Sequence, residues 1–94
     1  QGIRFMKMGD HEIWAKPLEG GEIAVCFLNR SAQPWKLDYN WRNQTMYFAR
    51  EVNFRKWDYT IRDLWKHKDI GTTKERLKAD IPSHGVLMVR LVKQ

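Results

Sequence analysis

Glu12-Ile13-Trp14-Ala15-Lys16-Pro17-Leu18, then Glu19-Gly20-Gly21-Glu22, then Ile23-Ala24-Val25-Cys26-Phe27-Leu28 follow one another without a break. The first and third stretches are rich in strand formers, and the glycine pair between them supplies the positive φ angles that a short hairpin loop demands. Together they predict an antiparallel hairpin. Its second arm is apolar at odd and even positions alike, so it belongs inside a sheet, with the core on one face and a further covering on the other. Pro17 cannot donate to a ladder, which places the first arm at a sheet edge or a bulge.

The same alternation extends in both directions. Upstream, Ile3-Arg4-Phe5-Met6-Lys7-Met8 reads as a strand that turns at Gly9-Asp10. Downstream, Pro34 opens a strand in which Trp35, Leu37 and Tyr39 share one face, with Lys36 and Asp38 on the other. Met46, Phe48, Val52 and Phe54 also fall at even spacing, interrupted by Arg50, and a helical turn within 44–50 is an open alternative. Tyr59 to Trp65 is a further strand, followed by a loop through Lys66-His67-Lys68-Asp69 and Gly71. Leu77, Ala79 and Ile81 alternate up to Pro82, the turn Ser83-His84-Gly85 follows, and Val86 to Val92 closes the chain. About eight short strands at roughly ten-residue spacing, without a long helix, indicate an all-β fold: an antiparallel β-sandwich, Greek-key-like.

Ninety-four residues make one domain, 1–94, with a single modest core. No apolar run approaches the roughly 18 residues of a membrane helix, and no membrane partner is expected. Because the chain opens on Gln1, directly in a strand pattern, it is expected to be a piece of a longer polypeptide. The formal charge of +6 and pI near 9.7 raise nucleic acid as a partner. The cations are spread along most strands, however, and no aromatic-basic RNA-binding motif is present, so nucleic-acid binding is not expected. The lone cysteine, Cys26, rules out an internal disulfide and is read as a buried hydrophobe.

No catalytic constellation emerges from the sequence. His11, His67 and His84 lie in or beside predicted turns without metal-ligand spacing, so neither a metal nor a cofactor is expected. The eleven carboxylates are scattered, and Asp63 suits backbone or arginine partners better than proton transfer. Five tryptophans are many for this length. Trp14, Trp35 and Trp65 are placed on strands as core or interface residues. Trp41 and Trp57 flank the irregular middle segment and are the candidates for a carbohydrate-stacking surface. Trp14, Val25 and Phe27 are the candidates for packing against a neighbouring domain.

Three segments in order carry a family resemblance. Glu12 to Leu18 followed by Ile23 to Arg30, Tyr59 to Gly71, and Ile81 to Leu91 resemble the corresponding segments of glycoside hydrolase family 27, which contains the α-galactosidases. Gln1-Gly2 is similar to the point where that family's catalytic barrel passes into its last domain. The resemblance implies a C-terminal β-sandwich, with a (β/α)8 barrel upstream that bears the nucleophile and acid/base aspartates and is absent from this chain. It implies no catalytic residue here, galactosides as possible ligands, and a secreted, periplasmic or lysosomal location. Only 41–57 departs visibly from the pattern.

Overall fold

The leading hairpin forms as its residues predict. In the computed structural model, which describes residues 3–43, 45–47, 51–54 and 56–93, strands β1 (Ile3–Met8), β2 (His11–Pro17) and β3 (Ile23–Asn29) run antiparallel in succession. Gly9 turns between the first two with φ 60°. Gly20 and Gly21, at φ 74° and 79°, turn between the second and third within a short 3-10 segment. These are left-handed conformations that a glycine adopts without steric cost. Pro17 is accommodated differently from the expectation. Strand β2 is interior, and Pro17 occupies its last position, past Ala15, where the pairing with β1 ends.

After β3 the chain alternates between layers. It forms β4 (Trp35–Tyr39), a 3-10 turn at Trp41–Asn43, β5 (Thr45–Tyr47), β6 (Glu51–Asn53), β7 (Tyr59–Asp63), β8 (Lys68–Thr72), β9 (Leu77–Ile81) and β10 (Val86–Lys93). One sheet has the order β1-β2-β3-β10-β7-β8; β4 pairs with β9 in the facing layer, and β5 with β6 in a short ribbon. The result is an antiparallel sandwich. The expectation of about eight strands omitted β8, and the even-spaced stretch through Met46 and Val52 forms two short strands, the β5–β6 ribbon, in place of one. Lys68 to Thr72, mostly polar and containing a glycine, reads as loop in sequence but pairs with β7 across a register shift between Ile61 and Arg62. Within the middle segment, Phe48 and Arg50 lie outside the described residues.

The core lies between the two layers. Ile13, Val25, Phe27, Ile61, Val89 and Leu91 from the large sheet meet Trp35, Leu37, Tyr39, Leu77 and Ile81 from the small one. At one end His11 stacks on Trp35 with ring centroids 4.1 Å apart and planes 8° from parallel, joining β2 to β4. Asn29, fully buried, ties the same end together. Its amide nitrogen donates to the carbonyls of Gln33, Ile81 and Pro82 at 2.8–3.1 Å, while Oδ1 accepts from the backbone and hydroxyl of Ser31. Although Asn29-Arg30-Ser31 fits a glycosylation pattern, this side chain is committed to the interior.

Two substitutions measure these buried polar groups. Asn29→Ala leaves several enclosed backbone carbonyls without their donor, each costing ~1–3 kcal/mol, so the thermal midpoint should fall by more than ten degrees or folding should fail. Tyr39→Phe should be neutral or stabilising, because the Tyr39 hydroxyl is enclosed and finds no partner among the described residues. Burial also pushes the Tyr39 phenol above its ordinary value. The stability this represents is complete below the unfolded pKa of about 10 and is lost as pH rises toward the folded value. Tyr39→Phe should therefore flatten the alkaline limb of the stability–pH curve, read by circular dichroism.

Candidate functional site

The outer face of the large sheet presents the surface that its sequence left uncovered. Along β3 burial alternates: Ile23, Val25, Phe27 and Asn29 point into the core, while Ala24, Cys26 and Leu28 point outward and are half-buried. The outward residues form rows with their neighbours, Trp14–Cys26–Met88 in the middle, Glu12–Leu28–Val86 on one side and Lys16–Ala24–Arg90 on the other. Trp14, Ala24, Cys26 and Met88 wall a shallow depression of about 190 Å³. Burial pushes the Cys26 thiol up, in keeping with this apolar setting.

Charged groups border the strip. Arg30 pairs with Glu12 at 2.8 Å, and the Trp14 indole N–H donates to the same carboxylate at 2.9 Å. The Trp14 bond, together with the nearby Arg30 charge, holds the Glu12 carboxyl below the ordinary carboxylate range despite its burial. On the opposite side Arg90 pairs with Glu22, and Arg62 with Asp69 at 3.5 Å. An apolar centre with a polar border is the plan of a protein–protein contact.

Several expected sites are corrected by this geometry. Val25 and Phe27 are 1% and 0% exposed in the domain's own core, so they cannot pack on a neighbour. The strand is apolar on both faces as read, but the other parity is the outward one. Glu12 and Lys16 share Trp14's parity, and the loop length pairs Trp14 with Cys26; those two facts would have assigned the face. Cys26 is accordingly not enclosed. Trp41 is 0% exposed and packed among Phe27, Tyr39 and Phe54, which removes it as a stacking platform. Trp57 is 40% exposed, but its ring is covered by the Lys93 ammonium 3.9 Å from the centroid, with Lys56 at 5.6 Å. Trp65, assigned to a strand, instead projects from the turn after β7 and is 65% exposed.

The remaining polar candidates serve the backbone. Asp63 is buried, and its Oδ1 accepts the N–H groups of Trp65 and Lys66 at 2.8 and 3.0 Å. His67 and His84 occupy turns with φ of 55° and 57°. Among the described residues no group of three or more His, Cys, Asp or Glu could hold a metal ion.

Comparison with known proteins agrees with this architecture. The model of the alpha galactosidase C-terminal beta sandwich domain matches residues 8–91. Alpha-galactosidase A of Cellvibrio japonicus (strain Ueda107) is 36% identical over 94 residues, spanning 97% of this chain and 23% of its own. Alpha-galactosidase 2 of Arabidopsis thaliana is 30% identical over 94 residues, spanning 100% of this chain and 22% of its own. Among solved structures, alpha-galactosidase I from Mortierella vinacea superimposes with a TM-score of 0.72 at 20% identity, over 96% of this chain and 22% of its own. A GH27 β-L-arabinopyranosidase from Geobacillus stearothermophilus does so at 0.72 and 19%, over 98% and 19%. The chain spans about a fifth of the length of these proteins.

The Trp14–Glu12 contact gives a direct test of the outer-face geometry. Trp14→Phe removes the indole donor, and the Glu12 carboxyl should rise toward its ordinary value in a carboxyl-carbon NMR titration. A group with a lowered folded pKa stabilises above its unfolded value and loses that contribution as pH falls through the folded one. The variant's acid unfolding should therefore depend less steeply on pH below about 4.5.

Proposed function

We propose that this chain, which belongs to the family of alpha-galactosidase C-terminal β-sandwich domains, packs through the outer face of its large sheet on a catalytic barrel in the same polypeptide and stabilises it. The observation that carries this reading is the apolar strip of Trp14, Ala24, Cys26, Leu28 and Met88, bordered by ion pairs. Monomeric proteins seldom leave extended apolar patches bare. The occupant is argued from length: the relatives are four to five times longer than this domain, so most of each lies outside the sandwich.

The domain itself is a non-catalytic sandwich. In the proposed parent, the barrel's two carboxyl groups, about 5 Å apart, hydrolyse terminal α-linked galactose with retention through a glycosyl-enzyme intermediate. Residues 1–94 then form one domain behind that barrel, in an enzyme that works outside the cytosol. A likeness of fold to both an alpha-galactosidase and a β-L-arabinopyranosidase supports placing sugar specificity in the barrel rather than in the sandwich.

The test uses the whole polypeptide. Met88→Glu sets a carboxylate against the barrel, where an unpaired charge costs several kcal/mol. The full-length variant should melt markedly lower, with the domains unfolding separately in calorimetry, while the 94-residue chain carrying the same change melts near its own parent. Lys36→Gln, on the exposed side of β4, serves as control. An unchanged melting profile in full-length Met88→Glu would rule this face out as the contact.

A further inference from the structure

Leu87 and Met88 are adjacent on β10 and serve different surfaces: Met88 walls the outer strip, and Leu87 lines a second concavity on the inner side of the sheet. This cleft, about 730 Å³, opens between the β7–β8 edge of the large sheet and the side of β9 away from β4. Pockets that hold small ligands fall in the range of ~300–1,000 Å³. Ile61, Ile70, Leu77 and Leu87 give it an apolar floor, and Trp65 stands at its mouth.

The rim is balanced in charge. Three carboxylates, Asp63, Glu75 and Asp80, and three cations, Lys66, Arg76 and Lys78, line it, so the lining is neutral in a chain whose formal charge is +6. Asp63 is committed to the backbone N–H groups of Trp65 and Lys66, Arg76 to Asp38, and Lys78 and Asp80 share the outward parity of β9, which leaves Lys66 and Glu75 to meet a ligand. Such a rim neither selects an anion nor suits an apolar protein segment. It offers acceptors and donors together over an apolar base, which is what a neutral ligand with hydroxyl groups and a hydrophobic ring face requires. Among the described residues the side chains of Lys66 and Glu75 have no hydrogen-bond or ion-pair partner.

Trp65 is held in place for such a ligand. The Asp63 carboxylate accepts its backbone N–H, and His67 closes the turn by donating to the Asp63 carbonyl at 2.9 Å while occupying the left-handed region. The exposed indole is therefore carried on a rigid turn, and unlike Trp57 it has no ammonium over its ring among the described contacts. With the turn backbone held, only the two side-chain torsions of the indole are left to be ordered on binding.

We propose that this cleft is a non-catalytic saccharide-binding site, in which Trp65 stacks on a pyranose ring and Glu75 and Lys66 take its hydroxyl groups. The site stands on its own geometry. That the sugar carries galactose rests on the function proposed above.

The experiment is a backbone-amide and indole NMR titration of the 94-residue chain, wild type and Trp65→Ala, with melibiose and separately with cellobiose. The chain lacks a barrel, so no catalytic pocket can supply the signal. Melibiose should shift the Trp65 indole and the amides of Lys66, Ile70 to Thr72 and Lys78 to Asp80. Trp65→Ala should weaken binding by on the order of tenfold. Glu75→Gln, which leaves the platform intact, should weaken it less. Shifts with cellobiose alone would support the site and overturn its assignment to a galactose-bearing sugar, leaving the function proposed for the barrel untouched. Silence toward both sugars up to their solubility limits, or shifts that survive Trp65→Ala, would overturn the proposal.

Discussion

The sandwich depends on a continuous run of edge-to-face aromatic contacts through its middle. Phe27 of β3 meets Trp35, Tyr39 and Trp41 at centroid distances of 6.4, 5.5 and 6.0 Å; Trp41 meets Phe54 at 5.3 Å, and Phe54 meets Tyr59 at 5.5 Å. All these rings are steeply inclined to one another, the arrangement that sets the positive edge of one against the negative face of the next. The run joins the large sheet through Phe27 and Tyr59, the small layer through Trp35 and Tyr39, and the segment between them through Trp41 and Phe54. A domain of this size has little apolar surface to spare. Rings of large area, shared among three parts of the chain, make one core from layers that would otherwise be too thin to hold together.

That use of aromatics explains which parts of the fold were legible in the sequence. Period-two alternation located β4 and β9 with their inward faces, because Lys36, Asp38, Lys78 and Asp80 contrast clearly with the residues between them. Strand β3 carries no such contrast, so its two-faced character could be read but not which face was which. Strand β8 is created by tertiary pairing: Lys68-Asp69-Ile70-Gly71-Thr72 has weak intrinsic preference and is recruited by the edge of β7 through a register shift. The tryptophans were the least legible. Indole rings serve cores and surfaces equally well, and the difference between Trp41 and Trp65 lies in a few residues of turn. Trp41 follows β4 into a 3-10 turn that folds it inward, whereas the Asp63 side chain caps the next turn and directs Trp65 outward.

The large sheet separates two environments of different chemistry. Its outer side is apolar at the centre and bordered by ion pairs; its inner side is core except at the β7–β8 edge, where the small layer is narrower and leaves the cleft open. Strand β10 serves both sides with consecutive residues while Val89 and Leu91 anchor it in the core. The contact proposed on one side and the ligand proposed on the other are therefore open to separate test, by substitutions one residue apart. Such a partition suits a domain whose relatives keep it beside much larger sequence.

Electrostatics follow the same partition. The described ion pairs of Arg42 and Lys74 with Asp58, of Arg62 with Asp69 and of Arg76 with Asp38 are all substantially exposed, and pairs of that kind contribute little to stability. The cations of these pairs are thus mainly solvated surface. Against that background the balanced lining of the cleft is the exception. A ligand that relied on net charge would be drawn anywhere on the molecule, whereas the saccharide proposed for this cleft would rely on an indole face and neighbouring donors and acceptors, at a mouth where the Asp63 carboxylate holds the Trp65 backbone.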